Sequence, residues 1–130
     1  MSVFYNTDNL ILRIFFEIPA ENVERAVKFY ESVLDVQLDV VCECETEKMA
    51  CFPEVNGLSG AISQAKDFSP SKDGVLIHFQ VENMETALTA IEKNGGKITR
   101  PKTKIEAEGL GYFALFIDSE GNRVGLYSDK

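Results

Sequence analysis

The chain carries two copies of one strand-to-helix transition, and that repeat restricts its fold more than any single residue does. Ile14 to Ala26 reads I-F-F-E-I-P-A-E-N-V-E-R-A, and Ile77 to Ala87 reads I-H-F-Q-V-E-N-M-E-T-A, two residues shorter in the connection. Each copy is a β-rich run that reaches an asparagine, Asn22 or Asn83, of the type that caps a helix by accepting a bond from its first free amides. Glu21 and Glu24 flank the first cap and Glu82 and Glu85 the second, which places negative charge where the helix dipole favours it. Internal similarity at about half the chain length marks a duplicated architecture.

The rest of the pattern follows the repeat. Leu10 to Ile18 reads as a strand with Ile14, Phe16 and Ile18 on one face and Arg13, Phe15 and Glu17 on the other. In the helix that follows, Val23, Ala26, Val27, Tyr30, Val33 and Leu34 form one apolar stripe, which is predicted to pack on the Ile14 face. Leu38 to Cys44 and Lys48 to Phe52 read as a hairpin, and Asn56-Gly57 marks a tight turn into a strand over Leu58 to Gln64. The first module therefore spans residues 10–64.

Residues 65–74, A-K-D-F-S-P-S-K-D-G, lose the periodicity and are read as the linker, in which Phe68 either covers a cavity or tacks the linker down. A second module spans 75–128. It has a strand over Val75 to Val81 and a helix burying Met84, Ala87, Leu88 and Ile91, closed by Asn94-Gly95-Gly96. Short strands are expected at Lys97 to Arg100, Leu110 to Asp118 and Arg123 to Ser128, with a charged loop from Pro101 to Gly109. A β-α-β-β-β unit thus occurs twice in one domain over 1–130.

With 130 residues and 45% hydrophobic content, the chain can bury a core of its own. A formal net charge of −8, from 13 basic and 21 acidic residues, disfavours nucleic acid and suits a neutral or cationic small ligand, or serves solubility alone. No apolar run approaches the roughly 20 residues that cross a bilayer, so the expectation is a soluble cytoplasmic protein with no membrane partner. Cys42, Cys44 and Cys51 lack zinc-site spacing, and the sole histidine, His78, is far along the chain. They are read as buried, reduced thiols.

Glu17-Ile18-Pro19 through Ala26-Val27-Lys28-Phe29-Tyr30, the Asn94-Gly95-Gly96 helix end, and Gly111-Tyr112-Phe113-Ala114-Leu115-Phe116 through Gly121-Asn122 resemble the vicinal oxygen chelate superfamily. That family includes glyoxalase I, bleomycin-resistance proteins and extradiol dioxygenases. One departure is Leu34-Asp35, where the family usually has Leu-Gly; aspartate tolerates the left-handed turn. The resemblance implies an α+β fold, two tandem βαβββ modules forming a curled mixed sheet around a small-molecule cavity, with the helices outside. It also implies a homodimer. Metal-dependent members hold a divalent ion with one His or Glu from the first and last strand of each half, and by position those places fall on Arg13, Ala61, Leu76 and Gly125. None offers the usual lone pair, so neither the family's metal nor another cofactor is expected, the other reading being a noncanonical site built on His78 and Glu17.

If residues 13 and 76 point into the cavity, alternation turns Phe15, Glu17, His78 and Gln80 inward as well, with Ser63 on the fourth strand and Arg123 and Tyr127 on the last. Arg13, Phe15, Gln80, Ser63, Arg123 and Tyr127 are the candidate ligand contacts. His78 with Glu17 is the candidate acid–base pair, the other reading being a histidine that only hydrogen-bonds a neighbour. Two functions follow. The chain binds or sequesters a small organic molecule, or it is a small lyase or isomerase of the glyoxalase-related type using His78.

Overall fold

The structure, a computed structural model, describes residues 14–43 and 46–130, and of Cys42 the backbone only. The chain runs β1 (Ile14–Pro19), α1 (Val23–Leu34), β2 (Asp39–Glu43), β3 (Glu47–Cys51), β4 (Leu58–Ala65), β5 (His78–Gln80), α2 (Met84–Lys93), β6 (Lys97–Lys104), β7 (Tyr112–Ile117) and β8 (Arg123–Ser128). It is an α+β fold with two four-stranded mixed sheets, ordered β1-β4-β3-β2 and β5-β8-β7-β6. In each sheet the first strand of the module lies parallel to the last, and the remaining pairs are antiparallel. The same order in both halves is the spatial form of the sequence repeat.

Local chemistry sets the element ends. Asn22 Oδ1 accepts from Arg25 N at 3.0 Å and Asn83 Oδ1 from Thr86 N at 3.0 Å, so both predicted caps are in use. α1 ends at Asp35, whose φ of 54° and ψ of 51° put the aspartate in the left-handed region. α2 ends in a Schellman turn: Gly95 has φ 91°, and Gly96 N donates to Ile91 O at 2.9 Å. Between β3 and β4, Asn56 (φ 50°) and Gly57 (φ 80°) form the tight turn, closed by reciprocal bonds between Val55 and Leu58.

One core serves both halves. α1 packs on α2, and its buried face is Val23, Ala26, Phe29, Tyr30 and Val33. Phe29 therefore belongs to the stripe, while Val27 and Leu34 sit at its edge, half-buried. The rings of Phe16, Phe52 and Phe79 lie 5.4–5.9 Å apart, and Tyr30 reaches both Phe52 and Phe79 at 5.8 Å. Gly60 makes this possible, because an added Cβ would meet the Phe16 ring at 2.3 Å.

A second set of contacts joins the halves through the β7–β8 turn. Tyr30 Oη donates to Asp118 Oδ2 at 2.6 Å, and Asn122 Nδ2 donates to Pro19 O at 2.8 Å. Glu120 accepts from Asn22 N at 2.8 Å and takes both Arg25 Nε (2.7 Å) and Nη2 (2.9 Å). Burial pushes the Glu120 carboxyl up, but the hydrogen bonds from Arg25, Asn22 and Ser119, with the Arg25 charge, outweigh it and hold the group below the usual carboxylate range. Burial, then the Asp118 charge and hydrogen bond, raise the Tyr30 hydroxyl well above the usual phenol range.

Several expectations need correction. Ile14 is 49% exposed rather than packed under α1; on that face only Ile18 is buried and Phe16 half-buried. β5 is three residues long, and Val75, ahead of it, is 91% exposed. β6 runs on through Pro101 to Lys104, where a loop was expected. Register shifts at Ile98/Arg100 and Arg100/Thr103 accommodate a proline that has no N–H for the ladder. Cys51 is free and only half-buried; Cys44 and the N-terminal part of the first predicted strand lie outside the described residues.

Candidate functional site

The face of the second sheet turned away from its helix carries an open cleft of about 740 Å³. It is lined by Leu76, His78, Gln80, Ile105, Leu110, Phe113, Leu115, Arg123 and Tyr127. The register explains the grouping, since residues paired across strands share a face. His78 pairs with Gly125 and Gln80 with Tyr127 across β5–β8, and Tyr127 in turn pairs with Phe113, and Gly125 with Leu115, across β8–β7. Gly125 supplies the space for histidine: a Cβ there would meet His78 Nδ1 at 2.3 Å.

Polar groups sit around an apolar wall. Tyr127 Oη accepts from Gly111 N at 3.1 Å, which fixes the phenol at the cleft edge. Gln80 Nε2 donates to Asp129 Oδ2 at 3.3 Å. The Arg123 side chain has no hydrogen-bond or ion-pair partner among the described residues, and it lines a second cleft of about 260 Å³ with Glu17, Phe68, Ser71 and Asn122. Arg123 thus stands where the two clefts meet. Arg100 lies over the Phe113 ring, 5.3 Å from its centroid.

The sequence candidates divide into two groups. His78, Gln80, Arg123 and Tyr127 gather in the large cleft. Glu17 and Ser63 belong to the first half, where Ser63 Oγ donates to Glu17 Oε1 at 2.8 Å and both line a further cleft of about 250 Å³. Glu17 and His78 line different clefts, which meet at Arg123, and no hydrogen bond joins them. Phe15 is 53% exposed on the first sheet, paired with Ser59. Arg13 lies outside the described residues. Phe68, in the linker, lines the clefts that hold Glu17, and the linker itself is tied down by Ser71 N to Asn122 Oδ1 at 3.1 Å.

The apolar wall was not among the candidates. Phe113 and Leu115 sit on the middle strand β7, and the alternation there was legible, with Ala114 and Phe116 buried toward the core and the odd positions facing away. Alternation along the first and last strands of each half does not reach β7.

Gly125 pairs with His78, and the repeat equivalent of that pair is Phe15 with Ser59, so Ser59 rather than Ala61 is the counterpart of Gly125. Serine, leucine and glycine do not make the His/Glu donor set of the metal-dependent relatives. Among the described residues no three His, Cys, Asp or Glu side chains gather as a metal site.

Two fused βαβββ modules with a ligand-sized cleft on the sheet define the class. The chain belongs to the glyoxalase/bleomycin resistance protein/dioxygenase superfamily, whose model matches residues 12–126. It is 28% identical over 111 residues to a glyoxylase-like domain-containing protein of Didymella fabae, covering 82% of this chain and 84% of that one. Among solved structures it is similar to TnmS3, an antibiotic binding protein from Streptomyces sp. CB03234 (17% identity, TM-score 0.68, 94% and 98% covered). It is likewise similar to FosX, a genomically encoded fosfomycin resistance protein from Listeria monocytogenes (13% identity, TM-score 0.64, 90% of each chain). At these identities the structural matches establish the fold.

Proposed function

We propose that the chain binds or sequesters a small organic molecule in the cleft of its second half, without a metal centre. The observation that carries this is the cleft itself: an apolar wall of Leu76, Leu110, Phe113 and Leu115 rimmed by His78, Gln80, Arg123 and Tyr127, the composition of ligand pockets in general. The donor-poor Ser59, Leu76 and Gly125 support the metal-free part of the reading, and the fold shared with an antibiotic binding protein is consistent with binding as the whole function. Thermal-shift screening of organic small molecules tests it. A ligand at about 100 times its Kd adds about 2.7 kcal/mol to apparent stability, and the reading requires that no product appear. Stoichiometric divalent metal in the purified protein would overturn the metal-free part.

The second reading, a lyase or isomerase using His78 as acid or base, is favoured by the position of the imidazole on the cleft wall over Gly125. If His78→Ala abolishes a measurable turnover while the fold is intact, this reading replaces binding alone. A homodimer and a cytoplasmic location complete the proposal. Phe15 (53% exposed) and Val41 (58% exposed) on the first sheet are apolar surface that a second copy can cover. A solution mass of 14.5 kDa would contradict the dimer.

A further inference from the structure

We propose that the cleft of the second half selects organic anions, with the apolar body of the ligand against Phe113 and Leu115 and its acidic group held by Arg123 and Arg100. This deepens the reading of that cleft as the ligand site and rests on it. The chain is strongly acidic, at −8, yet on this face of the second sheet three cations, Lys97, Arg100 and Arg123, stand against one carboxylate, Asp129, which is bonded to Gln80. Lys97 pairs with Ile117, Arg100 with Leu115, and Ile117 with Arg123, so all three cations share the face that forms the cleft. The equivalent face of the first sheet carries Glu17, Asp39 and Glu47 through the pairs Glu17↔Ala61, Asp39↔Cys51 and Glu47↔Ala65. The two halves have diverged in sign while keeping one topology.

These cations are also uncommitted. Arg25, Lys48 and Lys102 are paired with Glu120, Glu24 and Glu85, whereas Lys97, Arg100 and Arg123 enter no ion pair among the described residues. Arg100 has only a 3.4 Å bond from Nε to Thr103 Oγ1 and its stack on Phe113, which leaves the far edge of the guanidinium free. A planar fork beside an aromatic ring presents two donors to a carboxylate or sulfonate while the ring covers the adjoining apolar surface. Arg123, itself a lining residue, offers the same fork from β8, while Arg100 reaches the cleft only through the Phe113 ring it covers.

The test uses two dyes that share an aromatic body: 1-anilinonaphthalene-8-sulfonate, an anion, and N-phenyl-1-naphthylamine, which lacks the sulfonate. Each is titrated by fluorescence into the wild-type protein, Arg123→Gln, Arg100→Gln, the double variant, and Leu115→Trp, which fills the cleft; circular dichroism checks the fold of each. The double variant is expected to weaken the anionic dye roughly tenfold, the size of one lost charge-assisted hydrogen bond, and to leave the neutral dye unchanged. Sodium chloride at about 0.5 M should likewise weaken only the anionic dye. Equal loss of both dyes, or no loss of the anionic dye in the double variant, overturns the anion inference alone, provided that Leu115→Trp displaces both. If Leu115→Trp displaces neither, or neither dye binds the wild-type protein, the cleft reading falls and the inference with it.

Discussion

Tyr30 on the first helix and Asp118 at the end of β7 are joined by a hydrogen bond of 2.6 Å between groups that are almost wholly buried. Asp118 also accepts from Glu120 N, Asn122 N and Asn122 Nδ2, so its carboxylate anchors the turn that docks on α1. Removing the phenol oxygen leaves a buried acceptor short of one donor. Tyr30→Phe should therefore destabilise the protein by about 1–3 kcal/mol in urea unfolding. Asp118→Ala, which strands three other donors, should cost more. The raised Tyr30 hydroxyl gives a sign for pH: its contribution is fully present below the unfolded phenol range near 10 and is lost as pH rises above it, so Tyr30→Phe should flatten the alkaline decline.

The acid limb depends on Glu120. Its carboxyl is held below the usual range in the folded protein, so its contribution is present above the unfolded value of about 4.3 and disappears as pH falls through the folded value. Glu120→Gln should be less stable than wild type at pH 7 and should lose less stability between about pH 5 and pH 3. Parallel acid limbs in a urea series would refute this assignment.

Two glycines lie under rings on opposite faces of the parallel strand pairs, and they should respond differently to one added methyl. At Gly60 the new Cβ would meet the Phe16 ring at 2.3 Å, inside the cluster where that ring packs on both Phe52 and Phe79. Gly60→Ala should cost about 3 kcal/mol, at the upper end of overpacking. At Gly125 the clash is with His78, an exposed side chain that can rotate into the cleft. Gly125→Ala should cost about 1 kcal/mol and shift the imidazole proton resonances. Equal losses would mean that His78 is as fixed as Phe16.

The helix caps offer a simpler comparison. Asn22 and Asn83 make the same 3.0 Å bond, but Asn22 N also donates to the buried Glu120. Replacing either with alanine should cost about 1 kcal/mol. The backbone bond to Glu120 survives Asn22→Ala, so thermal denaturation should give similar losses at the two sites.

What the sequence made legible was whatever short-range chemistry decides. Asn22, Asn83, Asp35, Asn56-Gly57 and Gly95 each specify a backbone conformation by themselves, and all five are used. Strand limits were harder, because they depend on partners. β6 continues past Pro101 only because bulges let β7 keep its pairing, and no local signal carries that. At the site, alternation along β5 and β8 grouped His78, Gln80, Arg123 and Tyr127, and all four line one cleft. It could not tell that Glu17, on the equivalent strand of the other half, faces different clefts, because the relation between two sheets is a property of the shared core.

Phe79 belongs to the second half, yet its ring packs on Phe16, Phe52 and Tyr30 of the first. A chain cut within residues 65–74 would leave each fragment with bare aromatic surface and no partner to cover it. Either fragment alone would have to find the other, or a copy of itself, before it could fold. A half-length chain of this kind would for the same reason have to work as an obligate pair, and carrying both halves on one chain makes a bimolecular encounter unnecessary and leaves the two sheets free to differ in chemistry.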